Sequence, residues 1–388
     1  MMTRTRTART AFTLVELLVA TALVVIILTI LAVAFGAASD SLSRLRSMGN
    51  MATQLRTAQD KVRADLESPH FEVGDSPAGQ KLSDLRYDLL GTTAGSNVRA
   101  PDAGYFRIEH AAGSTFEGAD ADGIISTRAA TAHAVEFTVK RAGKTPDQLF
   151  SVQSPSLAAF SVTDTALGPA NTQFSAQWAR VRWQLGNPRV VDGGGGPVTT
   201  FTLYRSVRLL APEPVPGGPA LVSIPAANPG EAELFSTAPV SPNPGPYAPH
   251  TLRTITPPAV RAVAPITPYT STQAHYGDDI ILSNVTSFQV KPTWVAAAVS
   301  GTRGPRTGLP ATMNTPIPDT AGAVPNSQFP FDDLPTSTTL PGQRVFDTWN
   351  GDPNTAPLRV RVTALEVTIR VYDPKTLLTR QVSFVVPQ

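Results

Sequence analysis

Cysteine is absent from the 388-residue chain. That excludes a disulfide framework, a thiol nucleophile and any zinc site built on cysteine, so core burial or assembly must hold the folded part together. Histidine is scarce: His70, His110, His133, His250 and His275 stand far apart, none at the spacing of a zinc-binding H-E-x-x-H helix. Charge is thin, 16% against about 25% in an average soluble chain. Basic residues outnumber acids by only 32 to 30, and Arg4, Arg6 and Arg9 lie ahead of all the rest. No other stretch gathers Lys and Arg into a stripe that could track a phosphate backbone, so no nucleic acid is expected as a partner. Gly74-Asp75-Ser76-Pro77-Ala78-Gly79 has the outline of a nucleophile elbow, but its second glycine comes one position late and no strand-turn-helix pattern surrounds it. The chain is expected not to be an enzyme.

What the sequence does have is one long apolar run. From Leu17 no charged residue occurs before Asp40, and residues 17–38 are enough for a bilayer core, which takes ~20 apolar residues as a helix. The arginines before it place that end in the cytoplasm and the rest of the chain outside. An ordinary secretory signal puts a small residue after a shorter apolar stretch. Here the small residue, Ala11, stands before the run, so cleavage there leaves the apolar helix on the mature protein. Glu16 sits just inside the run. A carboxylate at the edge of a bilayer core is costly and calls for a partner, unless it merely reaches the headgroups.

Past the membrane segment the helical period continues through Leu42, Leu45, Met48, Ala52, Leu55, Gln59, Val62 and Leu66. Arg44, Arg46, Arg56, Asp60, Lys61, Arg63 and Asp65 form its expected solvated face. Ser68-Pro69 ends it, because proline cannot continue the ladder. The pattern predicts a helix over 12–67, on the order of 80 Å long.

From His70 onward short alternating segments replace the helical period: 106–108, 135–139, 181–185 and 201–203 read as half-buried strands. The clearest alternation runs from Leu365 to Val371, turns at Tyr372-Asp373-Pro374-Lys375 and returns over 378–386 as a final hairpin. The 36 prolines concentrate in residues 212–268 and 300–341, read as extended or disordered insertions; 193–196 is a smaller glycine loop. One β domain with insertions is expected, the alternative being two small β domains split near Pro212. Asp120-Ala121-Asp122-Gly123 starts like a calcium loop but lacks the closing glutamate. An Asp-Gly turn is the favoured reading, calcium at Asp120 and Asp122 the weaker one, and no other cofactor is expected. Asp278-Asp279 and Asp332-Asp333 read as solvated acids, and the sequon Asn284-Val285-Thr286 as chance.

The stretch Ala11-Phe12-Thr13-Leu14-Val15-Glu16-Leu17-Leu18-Val19-Ala20, behind a short basic leader, resembles the N-terminal signal of type IV prepilins and type II secretion pseudopilins. Ala11 departs from that family's usual glycine. Ala58-Gln59-Asp60-Lys61-Val62-Arg63-Ala64-Asp65-Leu66, the segments Val181-Arg182-Trp183-Gln184-Leu185 and Phe201-Thr202-Leu203-Tyr204-Arg205, the stretch 279–288 and the final hairpin resemble, more loosely, the large minor pseudopilins of the J type and the minor pilins of the W type. The resemblance implies an α+β fold: a leader over 1–11, a transmembrane and filament-core helix over 12–38, an amphipathic stalk over 39–68 and a β-rich periplasmic head over 70–388. It implies cleavage between Ala11 and Phe12 and methylation of the Phe12 amine by a prepilin peptidase and methyltransferase. Glu16 would then pair with a neighbouring subunit's Phe12 amine as major and minor pseudopilins join a filament. The function implied is that of a structural minor pseudopilin of the bacterial inner membrane, at the tip or priming position of a secretion pseudopilus. A minor type IV pilin acting in adhesion or DNA uptake is the alternative.

Overall fold

The computed structural model describes residues 13–72, 79–84, 103–110, 133–143, 145, 148–153, 173–193, 196–213, 235–239, 247–257, 260–261, 277–296, 344–348 and 360–388. The junction Ala11/Phe12, the candidate calcium acids Asp120 and Asp122, the stretch 300–341, Asp332-Asp333 and most of the elbow-like stretch lie outside them. Helix α1 spans Leu14–Leu66, 53 residues, or about 80 Å at the usual rise. No proline interrupts it, and it stops three residues short of Pro69. The chain divides into two units, Met1–Thr53 and Gln54–Gln388.

In the first unit the large side chains of the apolar run are open: Leu17, Val24, Ile26, Ile30 and Phe35 are all more than half exposed. Leu42 and Leu45, expected on the apolar stripe of the amphipathic stalk, are exposed as well. In the second unit the stripe is put to use, with Leu55, Val62 and Leu66 buried as expected, and with Ala58 rather than Gln59 as the fully buried residue between them.

The head is built on eight antiparallel strands in the order β10-β1-β2-β5-β6-β9-β11-β12. They span β1 Phe106–His110, β2 His133–Lys140, β5 Trp178–Asp192, β6 Pro197–Leu209, β9 Asp278–Ala296, β10 Arg344–Asp347, β11 Val360–Asp373 and β12 Leu378–Pro387. Among the described residues two small pairs complete the set, β3 Phe150–Gln153 with β4 Gln173–Ala176, and β7 Thr237–Pro239 with β8 Tyr247–Pro249. The strands expected from alternation are present, and the final hairpin forms with β11 paired to β12 over ten residues. Its turn comes later than expected: Tyr372 and Asp373 still belong to β11, and the Asp373 carboxylate accepts from Lys375 N–H and the Thr376 hydroxyl to shape the bend.

Period two sorts the sheet into two faces. One carries Phe106, Val135, Phe137, Val181, Trp183, Leu203, Val367, Ile369 and Phe384, all buried, and meets the last turns of α1. The other carries Arg107, Glu109, Glu136, Arg180 and Arg182 on β1, β2 and β5. Here a half-buried strand was expected, but every residue of β2 is buried. The cover comes from the proline-rich stretch itself. Helix α2, Leu252–Ile255, is opened by a capping box between Thr251 and Thr254, and Leu252 and Ile255 form a second small core with Ala103, Tyr105 and Leu210. Bridges Leu209↔Phe235 and Ala211↔Thr251 continue the attachment. Within 212–268, Phe235, His250, Leu252, Ile255 and Arg261 are therefore buried while Glu213 and Arg253 stay exposed, because proline-free pieces such as 251–256 supply apolar side chains and hydroxyl caps.

Candidate functional site: the apolar helix and its joint to the head

Three hydrogen bonds start α1. Thr13 donates its N–H and its hydroxyl to Glu16 Oε2, each at 3.1 Å, and Glu16 N–H donates to Thr13 Oγ1 at 3.2 Å. That is a capping box, threonine at the cap and glutamate three residues on. The carboxylate thus has partners within its own chain and sits where the positive end of the helix dipole favours it. The T-x-x-E spacing ahead of an apolar run is the signal for it in the sequence, and a reading of Glu16 as a charge in search of a partner passes over it.

Beyond the cap the helix satisfies itself. Thr21 and Thr29 return their hydroxyls to the carbonyls of Leu18 and Val25 at 3.0 and 2.8 Å, so no polar group between Leu17 and Phe35 needs water. It is the one helix among the described residues long and apolar enough to cross a membrane. A self-satisfied helix with a wholly apolar exterior is what a bilayer core requires, and an apolar patch this large marks a surface that another phase or partner covers.

At the other end, Asp65 overturns the expectation of a solvated side chain. It is buried and takes a fork from Arg205, Nε to Oδ2 at 2.6 Å and Nη2 to Oδ1 at 2.8 Å. Trp183 Nε1 donates to the same Oδ2 at 3.0 Å. Trp183 and Arg205 are register partners on β5 and β6, so the sheet presents an indole and a guanidinium side by side to one carboxylate. Burial opposes the charge on Arg205, but the hydrogen-bonded Asp65 outweighs it and raises the guanidinium's pKa. Asp279 adds a rim, its Oδ2 lying 3.3 Å from Arg205 Nη1 and 3.1 Å from Lys61 Nζ. Asp278, also expected in solvent, is buried against Arg208 at 2.8 Å.

His70 closes the joint. Its Nδ1 lies 2.8 Å from the Thr138 carbonyl oxygen and its Nε2 3.1 Å from that of Leu66, the last residue of α1. Phe106 and Phe137 meet the ring edge-on. Burial drives its pKa down to about 4 against the pull of the two carbonyls. Beside it, Gly104 adopts φ +99°, and a Cβ there would collide with the His70 carbonyl oxygen, so the chain passes under the joint only as glycine.

On the covered face Glu136 accepts from Tyr105 Oη at 2.6 Å, Arg180 Nη2 at 2.7 Å and Arg182 Nη1 at 2.7 Å. Arg182 bridges on to Glu109, which holds Arg107. Burial pushes the Glu136 carboxyl up, yet the two arginines outweigh it and hold the group well below the usual carboxylate range. Both acids of this ladder are paired with arginine. Among the described residues no three His, Asp or Glu side chains gather as a metal site. Within the sequon, Asn284 sits half-buried at a bulge with φ 57° and Thr286 is buried. Compared with family models, curated proteins and solved structures, the chain matches none.

Proposed function

We infer that the chain is a minor pseudopilin, a structural subunit that enters a membrane through α1 and then joins a filament through the same helix. The observation that carries this reading is the run from Leu14 to Phe35, whose large apolar side chains all stay exposed behind a capped Glu16 while the helix continues into a packed head. In this reading a prepilin peptidase of the bacterial inner membrane cuts between Ala11 and Phe12 and methylates the new amine. The N-terminus is cytoplasmic and the head lies in the periplasm. During assembly Glu16 exchanges its Thr13 partners for the Phe12 amine of a neighbouring subunit, which sets the axial step between subunits. The bulk of the head suits a tip or priming position, because a large head on every subunit would crowd a long helical array.

Mass spectrometry of the mature protein, isolated from cells carrying a prepilin peptidase, tests the reading. A chain starting at methylated Phe12 supports it, and an intact Met1 overturns it. Glu16→Ala is expected to be processed and inserted but to fall out of crosslinked filament complexes; undiminished crosslinking would remove the assembly role of that carboxylate.

A further inference from the structure

Beside the buried Asp65, the buried residues of α1 within the second unit are Leu55, Ala58, Val62 and Leu66, all apolar. Such a stripe is nearly self-similar. If the helix slid along the sheet by four residues, about 6 Å at the helical rise, Val62 would take the place of Leu66 and Ala58 that of Val62, apolar upon apolar, with Gln54 at the place of Ala58 the one polar arrival on the stripe. Hydrophobic burial is non-directional and resists this slip only weakly. Asp65 breaks the degeneracy, because its fork to Arg205 and its bond to Trp183 exist in one position only. The slipped states are also opposed. In one direction Lys61, four residues before Asp65, would bring its ammonium to Arg205, charge against like charge; in the native position it sits on Asp279 instead. In the other direction the helix ends, and Pro69 would arrive where the carboxylate is needed.

We propose that the Asp65–Arg205–Trp183 cluster is a register key: it selects the one axial position at which the stalk helix docks on the β5–β6 strands, with Lys61 as the element that rejects the neighbouring position. Replacing a buried ion pair by apolar side chains is often neutral or stabilising, and the best attested role of such pairs is to fix register. The inference concerns residues 54–388 and stands whether or not the apolar half of α1 enters a filament.

The experiment measures distances between spin labels on the full chain in detergent micelles. Since the chain has no cysteine, Asp60→Cys paired with Ser283→Cys, and Asp60→Cys paired with Arg380→Cys, place labels at exposed sites on helix and head. The otherwise unaltered protein is expected to show one narrow distance for each pair. With Asp65→Leu and Arg205→Leu together, cooperative melting is expected to persist while at least one pair splits into two populations or broadens by several ångström. Narrow, unshifted distances in both pairs of that variant would overturn the proposal. So would loss of its cooperative melting, which would make the cluster a stability element.

Discussion

The two ends of α1 share a helix and a period but not a fate. Around Ile26 the apolar side chains stand out on all sides; around Val62 they form one stripe, and it is buried. The difference lies in what interrupts the apolar residues. Between Leu17 and Ala38 nothing charged occurs, so the helix has no polar face and no way to rest on a sheet with one side in water. Between Leu55 and Leu66 Arg56, Asp60, Lys61 and Arg63 supply that face. One helix is thereby matched to two solvents, and substitutions in its two halves should be read out by different instruments.

The largest effect is expected at Val62→Asp. A carboxylate with no partner in the wholly buried stripe should cost about 4 kcal/mol or more, enough to abolish cooperative melting of the head. Its counterpart Ile26→Arg should leave head melting within about 0.5 kcal/mol and instead add roughly 3 kcal/mol to insertion of the helix, seen as protein released from membranes by alkaline extraction. If both variants fail in the same assay, the division of labour along α1 is wrong.

Acid should separate the halves next. His70, at the joint, has its pKa lowered to about 4 in the folded chain, from about 6.5 unfolded. The unfolded chain takes up the proton first, so this contribution is complete above pH 6.5 and is lost as pH falls toward 4. It amounts to about 3 kcal/mol. His250, also lowered to about 4 by burial and then by Arg180, adds in the same direction. Head melting measured from pH 7.5 to 4.5 should fall accordingly, and His70→Gln should flatten the slope. Glu136, with its depressed pKa, supports the head until more acid conditions protonate it. The capped apolar half should keep its helical signal throughout.

The smallest effect belongs to the cap. Thr13→Ala should cost about 1 kcal/mol at the helix start, read as roughly five-fold faster amide exchange over the first turn of α1 in micelles, with head melting unchanged.

Much of this architecture is legible without coordinates. A 3.6-residue period broken at Pro69 yields α1, and two-residue alternation yields β5, β6, β11 and β12. Side chains whose environment is decided far away in the chain are not legible in that way. Asp65 follows the helical charge pattern and reads as solvated until Trp183 and Arg205 are brought to it by the β5–β6 hairpin. Asp278 is similarly claimed by Arg208. The short β10 has too few residues to show a period, and the proline-rich stretch hides α2 because composition averages over a capping box only four residues long. The candidate site divides likewise: Glu16 stands out by its charge in an apolar run, while its Thr13 partners need the helix start to be placed.

The pairing of β1 with β10 carries a consequence for how the head forms. Phe106 N–H donates to the Thr348 hydroxyl, 242 positions along the chain, and β10 closes that side of the sheet. Contacts of such separation are slow to find, since the entropy of closing the intervening loop is lost before the pairing returns anything. The β5–β6 and β11–β12 hairpins can form as soon as their own residues are available, but the β1 side of the sheet has to wait. A chain made in order from its N-terminus leaves β1 half-paired until residues 344–348 arrive, so the time spent in that state is set by synthesis as much as by folding.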